Sequence, residues 1–465
     1  MNNLPFSSLP IRCEILQNLA ILGFDHMTPI QESSLPEILT NKDLICHAKT
    51  GSGKTASFAI GLLSKLDIKN KAVQALVLCP TRELSEQVST EIRKLARLIP
   101  NVKITTLCGG SAIKAQESSL KNGVHCVIGT PGRVSDHIRR NNLNLASLET
   151  LVLDEADRML EMGFLEDMSE IVKHTPRTRQ TLLFSATYPA NIQNLSNNFQ
   201  KNALLVKADT DHKSLNIEHF CYEKNSLEDL SLLLSILSRY RPESTLIFCN
   251  TKQKCQELAH ELVRAGFYAQ SIHGDLDQRE RDEALILFSN KSLSILVATD
   301  VAARGLDIKD LQAVINYDLA HDAEIHTHRI GRTARAGHSG LAFSLYNSHE
   351  KKRLSEFEAY RDKDINYAEP PINSGFKTNL VPTMATLRIS CGRKNKLRAG
   401  DILGALTAHQ DFLASDVGKI DIGETHSFVA VTKAKIDVAL KVLSEDKIKG
   451  RFLKVIAMKI YVEDF

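Results

Sequence analysis

At 465 residues the chain is too long for one hydrophobic core and should divide into about three domains. An apolar fraction of 43% beside 24% charged residues excludes wholesale disorder, and no apolar run reaches the ~20 residues that a membrane helix needs. The net charge of +3 excludes little by itself, but residues 376–465 carry 15 Lys or Arg against 10 Asp or Glu, so the positive excess lies at the C-terminal end, where it would attract a polyanion.

The first ten residues lack a basic segment followed by an apolar one. The nine cysteines form no short-spaced pairs of the kind that hold zinc, and several stand inside apolar runs where a thiol packs as a small hydrophobe. A reducing, cytoplasmic setting without membrane contact is the expectation.

Runs at 43–46, 75–79, 103–108, 124–129, 150–153 and 180–184 read as buried strands separated by helix-length patterns, which predicts a mostly parallel α/β domain over residues 1–207. After the first run comes Ala48-Lys49-Thr50-Gly51-Ser52-Gly53-Lys54-Thr55, followed by a helical pattern at 56–66. Backbone N–H groups can surround a phosphate only where side chains are small, as at Gly51 and Gly53. Lys54 would neutralise β/γ-phosphate charge and Thr55 would complete an octahedral Mg2+ shell. This spacing predicts binding of ATP or GTP. At the end of the 150–153 run stand Asp154-Glu155-Ala156-Asp157. Asp154 would orient a magnesium-bound water, and Glu155 would accept a proton from the water attacking the γ-phosphate.

Residues 208–216 are polar and read as a linker. The alternation restarts at 245–248 and continues through 269–272, 294–298, 313–317 and 340–345, so a second α/β domain is predicted over 217–367, without a phosphate loop of its own. Near its end, His328-Arg329-Ile330-Gly331-Arg332-Thr333-Ala334-Arg335 places Arg332 and Arg335 three apart, which on a helix would share one face. Such a pair would compensate phosphoryl-transfer charge for the first domain.

Residues 368–382, with Pro370, Pro371, Gly375 and Pro382, read as a second linker. Residues 383–465 follow as strand 384–390, helix 402–409, strands 418–422 and 427–432, helix 434–443 and strand 452–461, a βαββαβ order of the RNA-recognition type. Two basic groups, Arg393, Lys394, Lys396 and Arg398, then Lys447, Lys449, Arg451 and Lys454, make RNA the expected partner. Paired aromatic stacking motifs on the central strands are not evident, which favours recognition of a folded RNA by shape and backbone.

Together these motifs resemble the DEAD-box RNA helicases. Phe24 with Thr28-Pro29-Ile30-Gln31 is similar to the adenine-reading Q motif. Ala48 to Thr55 resembles motif I, Pro80-Thr81-Arg82-Glu83-Leu84 motif Ia, Gly109-Gly110 the double-glycine element, Thr130-Pro131-Gly132-Arg133 motif Ib, Asp154 to Asp157 motif II and Ser185-Ala186-Thr187 motif III. Motifs IV, V and VI follow in order at 246–250, 298–307 and 328–335.

The resemblance implies two tandem RecA-like P-loop NTPase-type domains followed by a small RRM-like α+β domain, with ATP and Mg2+ as cofactors. It implies that Gln31 reads adenine while Phe24 stacks near the base, that Asp307 meets the ribose, and that Arg332 and Arg335 meet the γ-phosphate. Ser185, Thr187 and His328 would couple the sites. Arg82, Gly109, Gly110 and Arg133 would form one half of an RNA-backbone trench, with Gly274, Arg281 and Thr299 in the other half. Position 334 is more often glycine in the family, and Ala334 is expected to sit comfortably in a helix.

Gly392-Arg393-Lys394, Asp401 to Leu406 and Ile448 to Arg451 also resemble the C-terminal domain of the DbpA subfamily. That resemblance implies recognition of a large-subunit ribosomal RNA hairpin and action on assembling ribosomal particles, as a protein that nothing in the sequence requires to oligomerise. A DEAD-box helicase acting on another structured RNA, such as messenger RNA in cold adaptation or decay, a nonhydrolytic RNA clamp and a DNA helicase are the alternatives.

Overall fold

The computed structural model describes residues 4–47, 52–185, 187–188, 190–207, 217–224, 229–303, 311–334, 339–361, 365–371 and 380–458. Of the expected site residues, Ala48, Lys49, Thr50, Gly51, Asp307 and Arg335 lie outside this set.

The first sheet contains β1 (Leu44–His47), β2 (Ala75–Leu78), β3 (Ile104–Leu107), β4 (Cys126–Gly129), β5 (Thr150–Leu153), β6 (Gln180–Ser185) and β7 (Leu204–Lys207). All its pairings are parallel, in the order β3-β4-β2-β5-β6-β1-β7. Its two faces pack separate apolar cores: Leu44, Cys46, Val77, Val152 and Phe184 point to one, and Ile45, Leu76, Leu78, Leu151 and Leu183 to the other. Successive strand residues thus alternate between two buried faces, and this explains the continuous apolar runs.

The second sheet repeats the plan with β8 (Ile217–Glu223), β9 (Thr245–Phe248), β10 (Ala269–Ile272), β11 (Ile295–Ala298), β12 (Ala313–Asn316), β13 (Gly340–Tyr346) and β14 (Asn366–Tyr367). Its order, β10-β11-β9-β12-β13-β8-β14, is that of the first sheet strand for strand, again all parallel. Three strands, β7, β8 and β14, were not among the expected ones. The first and last are short outer strands, and the residues of β7 are mostly exposed, so neither carries a buried apolar signature.

The third sheet is antiparallel, in the order β16-β17-β15-β18, with β15 (Met384–Ile389), β16 (Val417–Ile422), β17 (Ser427–Thr432) and β18 (Val455–Ala457). Helices Ala399–Thr407 and Ile436–Glu445 pack over one face, burying Leu387, Ile389, Ile402, Leu406, Val429, Val431 and Leu443. The last strand begins at Val455 and not at residue 452, because a turn at Lys449 and Gly450 precedes it.

The other face of this sheet lies against the second α/β domain. Thr386, 1% exposed, meets Ser292 Oγ at 2.8 Å and accepts from Asn290 Nδ2 at 3.2 Å. Arg388 pairs with Glu283 at 2.9 Å, and Lys433 donates to the Tyr268 hydroxyl at 2.7 Å, with its ammonium 4.0 Å from the ring centroid. In an ordinary RRM-like domain this is the open face, and here its polar groups are committed to the neighbouring domain.

Of the nine cysteines, all but Cys13 are buried and none is in a disulfide. Burial pushes the Cys46 and Cys126 thiols up to about 12, as expected of packing residues and not of nucleophiles. Among the described residues no helix is long and apolar enough to cross a membrane, and no group of three or more His, Cys, Asp or Glu side chains is placed to hold a metal ion by itself.

Candidate functional site

The helix expected at 56–66 starts earlier, as Lys54–Lys65, with Gly53 as its N-cap at φ 97°. A left-handed conformation favours glycine, and space demands it too: a Cβ on Gly53 would stand 2.6 Å from Gln31 Nε2 and 2.9 Å from Thr28 Oγ1. Both neighbours hydrogen-bond to the loop. Thr28 Oγ1 donates to the Ser52 carbonyl at 2.8 Å and Gln31 Nε2 to the Gly53 carbonyl at 3.1 Å, while Gln31 Oε1 accepts from Thr28 N at 2.9 Å. The Gln31 amide therefore braces the phosphate loop, a role the sequence reading missed. One N–H and one lone pair remain on it. Phe24 is 37% exposed, with the Lys94 ammonium 5.3 Å from its ring centroid.

Lys54 is 6% exposed, and its Nζ has no hydrogen-bond partner among the described residues. Asp154, at the end of β5, is 3% exposed, and burial pushes its carboxyl up to about 7, against the pull of Lys54 and with the help of Glu155. A buried ammonium without an acceptor and a buried carboxylate costly to ionise are groups whose missing partners a polyphosphate with a divalent cation would supply. Thr55 is the second residue of the same helix. The residues present therefore fit a magnesium–nucleotide complex.

Glu155 caps helix Ala156–Glu161 at φ 52°, a left-handed position uncommon for a residue with a side chain, and its N–H donates to Asp154 Oδ1 at 3.1 Å. The sharp reversal separates the two carboxylates: Asp154 is buried, whereas Glu155 is only half-buried. Asp157 Oδ2 accepts from both the N–H and the hydroxyl of Thr187 at 3.2 Å, and Thr187 N also lies 3.3 Å from Ser185 Oγ. Of the expected coupling residues, Thr187 thus contacts the carboxylate segment directly, through Asp157, and Ser185 touches Thr187.

On the expected RNA side of this domain, Arg82 opens helix Arg82–Leu95, capped by Thr81. A Cβ on Gly109 would meet nothing within 4 Å, so packing within the protein does not require a glycine there, whereas Gly110 has φ 74°. Arg133 donates to the Ser111 carbonyl at 3.2 Å and to Gln116 Oε1 at 3.0 Å, and Gln116 in turn donates to the Cys108 carbonyl. Its guanidinium holds the double-glycine loop in place.

In the second domain, Thr299 is 8% exposed and its hydroxyl accepts from Ala302 N, capping helix Asp300–Ala303. Arg281 stands on helix Gln278–Ser289, whose N-cap is Asp277, and Gly274 lies before that cap with Lys252 as its nearest neighbour at 3.6 Å from a Cβ.

His328 lies in the last turn of helix Ala323–Ile330. That helix ends before Arg332, so Arg332 does not stand on it as expected, and Arg335 lies outside the described residues. Arg332 sits in a turn, joined to residue 311 by the Leu311 N–H to Arg332 carbonyl bond at 3.3 Å and by the Thr333 hydroxyl donating to the Leu311 carbonyl. Ala334 is also outside the helix, at φ 56°. The expectation of a comfortable helical alanine is therefore corrected: the position is left-handed, which is why glycine suits it. Ala334→Gly should raise the urea-unfolding stability of the second domain by up to about 1 kcal/mol, and a loss of stability would contradict this backbone conformation.

Arg329, unassigned in the sequence reading, is 2% exposed, and each of its five N–H groups is used. Nε and Nη2 bind both oxygens of Asp300 at 2.7 Å, Nη2 also reaches Asn250 Oδ1 at 3.0 Å, and Nη1 donates to the Asp318 carbonyl at 2.7 Å and Asn316 Oδ1 at 3.3 Å. The guanidinium stacks on Phe248, 4.9 Å from its centroid. It therefore ties together the ends of β9, β11 and β12.

In the third domain, Arg393, Lys394, Lys396, Arg398, Lys447, Lys449, Arg451 and Lys454 are all exposed. Lys449 Nζ donates to the Lys396 carbonyl at 2.6 Å and pairs with Asp401 at 2.8 Å, stitching the two basic groups into one surface.

Residues 28–195 match the DEAD/DEAH box helicase model and residues 228–337 the helicase conserved C-terminal domain, so the chain belongs to the DEAD-box family of ATP-dependent RNA helicases. It is 48% identical over 444 residues to the ATP-dependent RNA helicase DbpA of Escherichia coli strain K12, covering 96% of this chain and 97% of that protein. With the DbpA of Bacillus subtilis strain 168 it shares 38% identity over 97% of this chain and 98% of that one. A solved structure of Saccharomyces cerevisiae Dbp5 bound to RNA and ADP BeF3 matches with a TM-score of 0.71 at 28% identity, over 79% of this chain and 96% of that one. Residues 386–456 match the DbpA RNA binding domain, which places the chain in the DbpA subfamily.

Proposed function

We propose that this RNA helicase opens local helices in large-subunit ribosomal RNA during assembly of the large ribosomal subunit, with the third domain selecting the site. The observation that carries this reading is the match of residues 386–456 to the DbpA RNA binding domain, within a chain similar to its DbpA relatives over nearly its whole length.

In this reading Lys54 neutralises phosphate charge, and Glu155 accepts a proton from the attacking water. Thr55 and Asp154 would hold Mg2+, which supplies charge to offset the triphosphate. The free N–H and lone pair of Gln31 complement the N7 and N6 groups of adenine, favouring ATP over GTP. Ala48, Lys49, Thr50, Gly51, Ser52 and Gly53 surround the phosphates, Phe24 lies beside the base and Asp307 holds the ribose. Arg332 and Arg335 reach the γ-phosphate once ATP and RNA are both bound, with His328 meeting Ser185 and Thr187. Arg82, Gly109, Gly110, Gly274, Arg281 and Thr299 take the RNA backbone irrespective of sequence, and Arg133 shapes the loop between them. The third domain then has to supply the address.

A full-length Glu155→Gln protein, recovered from cell extract with its bound RNA, should be enriched at one hairpin of large-subunit ribosomal RNA. Recovery of structured RNAs in proportion to their abundance would overturn the ribosomal target.

A further inference from the structure

The third domain holds three aromatic side chains among its described residues, in three different settings. Phe412 is 3% exposed within the core, Phe428 is half-buried in β17, and Phe452 is 65% exposed. A single exposed apolar residue is ordinary on a protein surface. Phe452 differs from that ordinary case in where it stands and in how it is held.

The segment before it is a tight reversal. Lys449 and Gly450 have φ 50° and 78°, and Ile448 and Arg451 exchange backbone hydrogen bonds of 2.9 and 3.1 Å, the pattern of a two-residue primed turn. Ile448 anchors this turn in the apolar core. Lys449 ties it to the neighbouring basic loop through the Lys396 carbonyl and Asp401. Phe452 therefore leaves a fixed turn, with exposed Arg451 before it and exposed Lys454 just beyond it. The Lys447 ammonium stands over the ring, 5.4 Å from its centroid, and the side chain stays 65% exposed to a ligand.

An apolar ring set in a dense positive field suits a ligand that is anionic along its length and carries flat π-faces. Structured RNA has both properties wherever a base is unpaired, and stacking on such a base needs no hydrogen-bond code. The sheet face that could offer an alternative platform is committed to the second domain through Thr386, Arg388 and Lys433.

We propose that Phe452 is the base-stacking residue of the third domain, receiving one unpaired base of the RNA whose phosphates are held by Arg393, Lys394, Arg451 and Lys454. The inference rests on the third domain as an RNA-binding module and does not depend on which RNA is the target.

The test uses the full-length protein, with protein-free large-subunit ribosomal RNA and transfer RNA as probes, titrated across a salt series. Phe452→Ala should weaken binding to whichever RNA the unmodified protein holds by about five- to a hundredfold. Its dependence of log affinity on log salt should stay unchanged, because no phosphate contact is lost. Phe452→Trp should bind as tightly as the parent. Lys454→Gln should instead flatten the salt slope by about one phosphate contact. Unchanged affinity in Phe452→Ala, a flattened slope in that variant, or equal weakening in Phe452→Trp would each overturn the stacking role. Equal affinity of the unmodified protein for both RNAs would count against the ribosomal target while leaving the Phe452 comparison intact.

Discussion

Replacing Glu155 by glutamine should lower RNA-dependent ATP turnover by about 10²–10⁴-fold while leaving ATP and RNA binding in place. The amide keeps the shape of the side chain and preserves the φ 52° turn that presents it, because only the terminal oxygen changes. Asp154 remains buried beside Lys54, so the groups proposed to hold the triphosphate and its Mg2+ are untouched. Single-turnover hydrolysis and equilibrium binding separate the two effects. A variant that binds ATP normally and hydrolyses it at the parent rate would remove Glu155 from its assigned role.

The second large effect should come from a residue that touches no phosphate. Arg329→Ala leaves the Asp300 carboxylate, Asn250 and Asn316 without the guanidinium that holds them, all at the ends of central strands. Removing one partner of a buried, hydrogen-bonded ion pair typically costs about 3–5 kcal/mol. The damage should be local to the second domain. Hydrogen exchange should speed up at β9, β11 and β12 while the strands of the first domain keep their protection. Arg329→Lys should rescue little, since a single ammonium cannot supply five donors in a planar fork. Unchanged exchange at those strands in Arg329→Ala would show that the network does not carry the domain.

Much of this architecture was legible from the sequence because central parallel strands are buried on both faces. Runs such as Ala75–Leu78 and Thr150–Leu153 leave an uninterrupted apolar signature. Outer strands leave none: Leu204–Lys207 is largely exposed, and Asn366–Tyr367 is two residues long. The phosphate loop, the carboxylate pair and the coupling residues are local in sequence and could be read as motifs. What could not be read was where side chains turn within those motifs. Gln31 spends part of its amide on the phosphate loop, Arg133 on the double-glycine loop and Thr299 on a helix cap, and each choice depends on a neighbour distant in the chain or on the local backbone. The misplaced Arg332 has a similar cause. A three-residue spacing suggests a helical face, but the bonds from Leu311 and Thr333 fold the chain into a turn first.

The central claim is that the phosphate-handling groups of the first domain work only under the control of bound RNA. Steady-state ATP turnover of the full-length protein, measured with and without saturating structured RNA, tests it most directly. The account predicts a rise of about tenfold or more on adding RNA, each tenfold corresponding to ~1.4 kcal/mol off the barrier. A turnover rate indifferent to RNA would contradict it.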